Sequence, residues 1–281
     1  MPEEESICAA RSVPSRFVEA RLRLFSGNEV RESVQALDTV RPLVSSACAG
    51  PDVCAGCEAR VEGLCAPLEE GALADVAAAG ERCTFAPRDP LFHQGDPATH
   101  VFVLHNGTAR LTQLLPDGRQ AAVGMRFGGD VLGFTTAPDH LMGAEALSNL
   151  TVCRIKRTEL ERLFAGHASL ERHFLDLCVR ELAMTQESLV ALGRFTAEER
   201  VAAFLLSFVE ARERRGHAGP VHELPATRAD VGELLGLTLE TVSRTVSAFR
   251  RRGWLRAPGP QTVELLDRAA LEELASGSTH L

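Results

Sequence analysis

The stretch Thr227-Arg-Ala-Asp-Val-Gly-Glu-Leu-Leu-Gly236-Leu-Thr-Leu-Glu-Thr-Val-Ser-Arg-Thr-Val-Ser-Ala-Phe-Arg-Arg-Arg-Gly253 decides how the chain is read. It predicts one helix, a tight turn at Gly236 and a second helix, the outline of a helix-turn-helix. Thr238 is placed to cap the second helix by accepting a backbone N–H bond. Val242, Val246 and Phe249 fall at i, i+4 and i+7, the face expected to bury against the first helix. Glu240, Ser243 and Arg244 then stand on the opposite face, in the first turns, where such a helix reaches base edges in a major groove. Arg can donate twice to guanine, Glu can accept from cytosine and Ser can serve either partner, each good pairing worth roughly 1–3 kcal/mol of discrimination. Thr238 and Arg228 complete the set of candidate DNA-contacting residues.

Charge supports this reading locally rather than globally. The 281-residue chain carries a formal charge of -8, which argues against indiscriminate coating of nucleic acid. Between Pro225 and Arg256, however, six Arg face one Asp and two Glu, a local balance of +3. Arg250, Arg251 and Arg252 can contact phosphate or simply line a solvated helix end. Beyond Gly253, Trp254-Leu-Arg-Ala-Pro-Gly-Pro-Gln-Thr-Val-Glu-Leu265 predicts strand, turn and strand, which makes the motif winged. A helical hairpin that touches no DNA is the bland alternative.

Upstream, Leu175, Leu182 and Leu189 recur seven residues apart with Val179 between them, on a helix expected over about Leu170–Leu192. Such a seam suggests a parallel helix pair, hence a homodimer, although the same stripe can pack on its own domain. Thr196 has the character of an N-cap for the helix that follows. Between Leu68 and Ile155, after one short helix, turn signals recur at Gly95-Asp96, Asn106-Gly107, Pro116-Asp117-Gly118 and Gly128-Gly129-Asp130. Strand-like runs such as Val101–Leu104 and Ala121–Val123 lie between them, the pattern of a small antiparallel barrel or jelly roll. The fold class is therefore α+β. The expected organisation is an N-terminal extension of unknown role (1–46), a cysteine-rich loop (47–66), a jelly-roll sensor barrel (67–168), a dimerisation helix (169–194) and a winged helix-turn-helix (195–281).

No stretch approaches the roughly 18 apolar residues of a membrane span, and the acidic Met-Pro-Glu-Glu-Glu start has no secretory character. A cytoplasmic protein is expected. Reducing conditions there make clustered thiols metal ligands rather than disulfides. Of eight cysteines, Cys54, Cys57 and Cys65 share one loop, and the Cys54-x2-Cys57 spacing lets two sulfurs bind one tetrahedral ion or adjacent corners of an iron–sulfur cube. The fourth ligand is open among Cys48, Cys83, Cys153 and Cys178, and zinc and iron–sulfur remain level on chemistry alone. For Cys8, Cys83 and Cys178 the bland reading is a small buried hydrophobe.

Several of these stretches, in this order, resemble the cyclic-AMP receptor protein superfamily and, within it, the oxygen-sensing fumarate and nitrate reduction regulators (FNR). They are Gly95-Asp96, Asn106-Gly107, Phe127-Gly-Gly-Asp-Val-Leu-Gly-Phe134, Val152-Cys153, Ala197-Glu-Glu-Arg200 with Ala203-Phe204, and Leu235–Arg244. The likeness runs from Cys54 to about Leu274. It implies a [4Fe-4S] cluster on Cys54, Cys57, Cys65 and Cys153, with Cys48 an open substitute. It implies, too, a reader of a TTGAT-type inverted repeat in double-stranded DNA through Glu240, Ser243 and Arg244, and contact with RNA polymerase through barrel loops around Pro116–Arg119, as in an activator. By the same resemblance, a cluster assembled without oxygen favours pairing along the Leu175–Leu189 seam. Cyclic-nucleotide binders of the superfamily carry an Arg-Ser pair where this chain has Leu141-Met-Gly-Ala-Glu145, so a cyclic nucleotide is not expected. An enzyme on the barrel is a competing idea, but His93, His100 and His105 show no metal-binding spacing, and no catalytic residue is assigned.

Overall fold

The structure, a computed structural model, describes residues 43–47 as backbone, and residues 54, 56–259 and 261–277 in full; the extension before residue 43, with Cys8, and the start of the cysteine-rich loop, with Cys48, lie outside the described residues. Strand β1 (Leu43–Ala47) straddles the border expected between extension and loop and pairs antiparallel with β2 (Gly80–Phe85). After a 3-10 turn at Glu58–Arg60 and helix α1 (Glu70–Ala79) come β3 (Pro90–Phe92), β4 (His100–Asn106), β5 (Thr108–Leu114), β6 (Gln120–Phe127), β7 (Val131–Leu132), β8 (Gly143–Ala146) and β9 (Leu150–Lys156). They form two sheets, ordered β1-β2-β9-β4-β7 and β3-β8-β5-β6, the two-layer jelly roll expected from the turn spacing.

Period-2 alternation divides the five-stranded sheet between two cores. Phe102 and Leu104 of β4 and Leu150 and Val152 of β9 face inward to meet Phe85, Phe92 and Leu111 in the core between the sheets. Val101 and Val103, with Ile155, face outward into a second apolar cluster that holds Leu64, Leu68, Leu160, Leu170 and Phe174. This alternation sends Cys83 into the inter-sheet core and Cys153 to the outer face. Cys83 is fully buried, as the bland reading expected. Cys178 is exposed, so for it that reading fails.

Helix α2 (Arg157–Gly166) leads into α3 (Ala168–Arg194), a 27-residue helix that leaves the barrel after its first turns, and α4 (Ala197–Arg214) opens the C-terminal unit. Thr196 caps α4 in a full capping box with Glu199. Helices α5 (Arg228–Leu235) and α6 (Leu239–Arg251) form the helix-turn-helix, with Gly236 left-handed at φ 64 and Thr238 accepting from the Thr241 amide. Val242, Val246 and Phe249 are buried as their spacing requires. Strands β11 (Leu255–Arg256) and β12 (Thr262–Leu265) make the wing, extended by β10 (His222–Glu223), and α7 (Arg268–Ala275) closes the unit.

The crossing of α5 and α6 depends on Gly232, because a Cβ there would lie 2.7 Å from the Leu237 carbonyl oxygen. Gly232→Val should therefore destabilise the C-terminal unit by about 2–3 kcal/mol through overpacking. Thermal denaturation checks this, and an unchanged midpoint would show that the two helices do not pack as described.

Candidate functional site

Helix α6 presents the expected reading face. Glu240 and Arg244 are exposed, Ser243 is half-buried, and Arg244 donates to Thr241 Oγ1 at 3.4 Å. The Thr238 side chain is engaged in its cap, and Arg228 is half-buried near Arg250. Of the Arg run, Arg252 is committed within the fold: it pairs with Glu198 at 2.8 Å and lies over the Trp254 ring. Arg250 and Arg251 remain exposed beside the reading face.

The reading unit is docked on the barrel by charge as well as by apolar contact. Asp230 Oδ1 on α5 accepts from Arg110 at 3.2 Å and from Arg88 at 3.3 Å, and Arg110 also bonds Glu145 of β8 and Glu233 of α5. Burial raises the Asp230 carboxyl, but bonds from Thr227 and the two guanidinium groups outweigh it and hold the carboxyl below the ordinary range. Leu147, Met125 and Phe127 of the barrel pack into the same apolar cluster as Val201, Leu205 and Phe208 of α4.

Along α3 the seven-residue seam faces solvent, with Leu175, Leu182 and Leu189 exposed by 58%, 58% and 65% and Val179 by 66%. The alternative that this stripe packs on its own barrel is therefore overturned. Only the foot of the helix, Leu170 and Phe174, is buried in the barrel's outer cluster.

That same outer cluster contains the thiols. Cys54, Cys57 and Cys65 of the loop and Cys153 of β9 line one small cavity of about 30 Å³, together with Val76, Val103, Arg82 and His105. Arg82 sits directly across from Cys153 in the β2–β9 register. Neither Arg82 nor His105 was singled out from sequence as part of this site, since only strand pairing brings them to it. Burial raises the Cys57 thiol from its ordinary 9.0 to about 11, with the Ala59 amide opposing and Cys54 adding to the rise. Burial likewise pushes Cys65 to about 12, with Cys57 and Cys54 adding to the rise. Among the described residues no three His, Cys, Asp or Glu side chains close around a point where one metal ion could sit. The donors thus share a cavity without converging on a single centre. Its present volume suits about one water molecule, so a larger inorganic group would require the loop to move outward.

The loop is tied to the long helix. His173 Nε2 of α3, next in sequence to the buried Phe174, donates to the Gly63 carbonyl at 3.0 Å. Phe174 in turn packs edge-on against Phe134, the last residue of the Phe127–Phe134 stretch.

With this geometry in hand, comparison with known proteins is direct. Residues 199–274 match the Crp-like helix-turn-helix domain, and residues 82–167 match the cyclic nucleotide-binding domain. The nitrogen fixation regulation protein FixK of Bradyrhizobium diazoefficiens is 35% identical over 79% of this chain and 94% of its own length. The chain belongs to the CRP/FNR superfamily of transcription regulators. Another relative of this regulator, the transcriptional activator protein FnrA of Stutzerimonas stutzeri, is 30% identical over 78% of the chain and 91% of its own length. The solved structure of FixK2 from Bradyrhizobium japonicum superposes with a TM-score of 0.64 at 33% identity, covering 69% of this chain and 96% of that one. Membership makes this CRP/FNR protein a DNA-binding transcription regulator rather than an enzyme. Among the described residues no helix is long and apolar enough to cross a membrane.

The raised thiols have a pH consequence. A group whose pKa is higher in the folded than in the unfolded chain contributes stability below its unfolded value and loses it as pH rises through the folded value. Metal-free protein should therefore lose stability progressively from pH 9.0 toward about 11 to 12. Chemical denaturation over that range checks it: Cys65→Ala should flatten the decline, and an equally steep decline in the variant would contradict the burial of this thiol.

Proposed function

We propose that this regulator responds to oxygen through a [4Fe-4S] cluster on Cys54, Cys57, Cys65 and Cys153, and that the loaded form pairs along α3 to bind a TTGAT-type inverted repeat. The observation that carries the reading is the cavity itself: three loop thiols and one strand thiol, distant in sequence, share it. Four thiols are the ligand number taken by either a [4Fe-4S] cluster or one zinc ion, and the spectrum described below separates the two. The buried thiols are protonated at neutral pH, so loading must release protons, as metal binding to cysteine does.

When bound, the cluster supplies an oxygen-labile group at this position. The chain's own residues do the rest. Cys54, Cys57 and Cys65 fix the loop against β9, and Leu170 and Phe174, packed with those thiols, together with His173 on the Gly63 carbonyl, carry the order of the loop to the foot of α3. The exposed Leu175, Leu182 and Leu189 offer a second copy an apolar seam, so helix alignment and dimer formation are one event. Pairing sets two α6 helices about one DNA turn, roughly 34 Å, apart. Dimerisation thereby raises DNA affinity by mass action. Glu240, Ser243 and Arg244 read bases, with Arg228 and Thr238 at the groove edge. The Pro116–Arg119 hairpin, held by Arg119 on Asp117, is the surface we assign to RNA polymerase. This reading includes no cyclic nucleotide, because the Leu141–Glu145 stretch has no cation and the nearby Arg88 and Arg110 pair with carboxylates.

Protein purified without oxygen should be brown and carry about four irons and four sulfides per chain. Air should bleach it in step with loss of dimer and of DNA binding. A colourless zinc protein that binds DNA equally in air would discard the oxygen reading while leaving the DNA-binding unit intact, and bleaching by nitric oxide alone would assign a different signal. Cys153→Ser should abolish both the cluster and anaerobic binding. Leu182→Glu should keep the cluster yet remain a monomer by light scattering; a stable dimer would remove the α3 seam. In gel-shift titrations, Arg244→Ala should cost about 1–3 kcal/mol on the inverted repeat and much less on random DNA.

A further inference from the structure

The Phe127-Gly128-Gly129-Asp130 turn between β6 and β7 lies between the thiol loop and the reading unit. On one side the Gly63 backbone abuts Gly129 so closely that neither a Cβ at Gly63 nor one at Gly128 has room, the latter because the Glu58 side chain lies over it. On the other side the turn grips Arg215, the residue that follows α4. The Arg215 guanidinium donates to the Gly128 carbonyl and to Asp130 Oδ1 at 2.8 Å, and it sits over the Phe127 ring, 5.6 Å from its centroid. Its side chain is only 7% exposed.

The thiol loop reaches the same junction. Glu62 accepts from Arg214 Nε at 2.9 Å and lies 3.8 Å from Arg215, while Glu58, next in sequence to Cys57, bonds His217 at 3.1 Å. Both carboxylates fall between Cys57 and Cys65, so any rearrangement of those thiols displaces them. Among the described residues the junction is not fully satisfied: Glu58 Oε2, Glu62 Oε2 and Arg212 Nε are buried without a hydrogen bond. Buried polar atoms left unbonded cost free energy, which makes this contact easier to reopen than a saturated one.

We propose that the thiol loop positions the DNA-reading unit directly, within one chain, through Glu58 and Glu62 acting on Arg214, Arg215 and His217, with Arg215 seated in the Phe127–Asp130 turn. Glu58 and Glu62 are positioning residues, since they act through Arg214, Arg215 and His217 at the end of α4 and do not line the thiol cavity. The loop then has two outputs. One runs through His173 and Phe174 to the dimer seam, and the other runs through Glu58 and Glu62 to the reading unit. The positional part of this inference is independent of the cluster; its regulatory part rests on the cluster reading above.

The test uses the full chain with Glu58→Gln and Glu62→Gln together, which keep shape and remove charge. Hydrogen exchange of metal-free protein should show the amides of Arg212–His217 exchanging roughly fivefold faster, the scale expected for partly exposed ion pairs, while α6 keeps its protection. Pairing Glu62→Arg with Arg214→Glu should restore protection that either change alone removes. Unchanged exchange, or a charge swap without rescue, would overturn the proposal. In the iron-loaded protein the double Gln variant should keep wild-type iron content and dimer fraction, while the ratio of DNA affinities between loaded and iron-free forms shrinks. An unchanged ratio would overturn the regulatory part. If wild-type chain takes up no iron, the cluster reading fails, and the exchange experiment still decides whether the loop holds the reading unit.

Discussion

The structure depends on one apolar contact, the outer face of the five-stranded sheet against the foot of α3. Val101, Val103 and Ile155 from the sheet, Leu64, Cys65 and Leu68 from the loop, and Leu170 and Phe174 from the helix form a single buried cluster, with Cys54, Cys57 and Cys153 packed against it. Because interiors are close-packed, a group added among the thiols cannot be absorbed locally. The loop must shift, and the foot of the helix and the Gly128–Asp130 turn are its neighbours. In the function proposed above, a local change at the cysteines is passed to these two elements.

The two cores of the barrel serve different ends. The inner one, around Phe85, Phe102 and Leu150, is filled by its own side chains, with His140 stacked on Phe92 at 4.0 Å. Its role is to keep the sheet rigid. The outer one is small and shared between loop, sheet and helix, and it includes residues whose ionisation depends on burial. In a rigid scaffold with one adaptable surface, the adaptable surface is where a signal can be converted into a change of position.

Charge placement follows the same division. Ion pairs and hydrogen bonds cluster where the reading unit meets the barrel: Arg88 and Arg110 with Asp230, Glu233 and Glu145 at one point, and Arg214, Arg215 and His217 with Glu62, Asp130 and Glu58 at the other. Ion pairs of this partly exposed kind contribute little net stability, yet they fix orientation because each guanidinium has few acceptors within reach. Orientation, rather than adhesion, is what a paired reader of DNA needs. The seam on α3 is left bare in the single chain, which is consistent with a surface reserved for a second copy.

Sequence alone determined the elements whose signal is local. The capping threonines Thr196 and Thr238, the turn at Gly236, the burial of Val242, Val246 and Phe249, and the strand-and-turn rhythm of the barrel are all set by residues within a few positions of one another. So is the Leu175–Leu189 seam, although spacing could not say whether it faced solvent or the barrel. Tertiary structure decided what depends on residues far apart. Strand register and alternation sent Cys153, not Cys83, to the outer face beside Cys54, Cys57 and Cys65, and they put Arg82 opposite it. The meeting of Glu58 and Glu62 with Arg214, Arg215 and His217 spans more than 150 positions, a separation over which no periodicity carries information. Short-range backbone preferences are written residue by residue; which side chains share a cavity is settled only when the sheets pack.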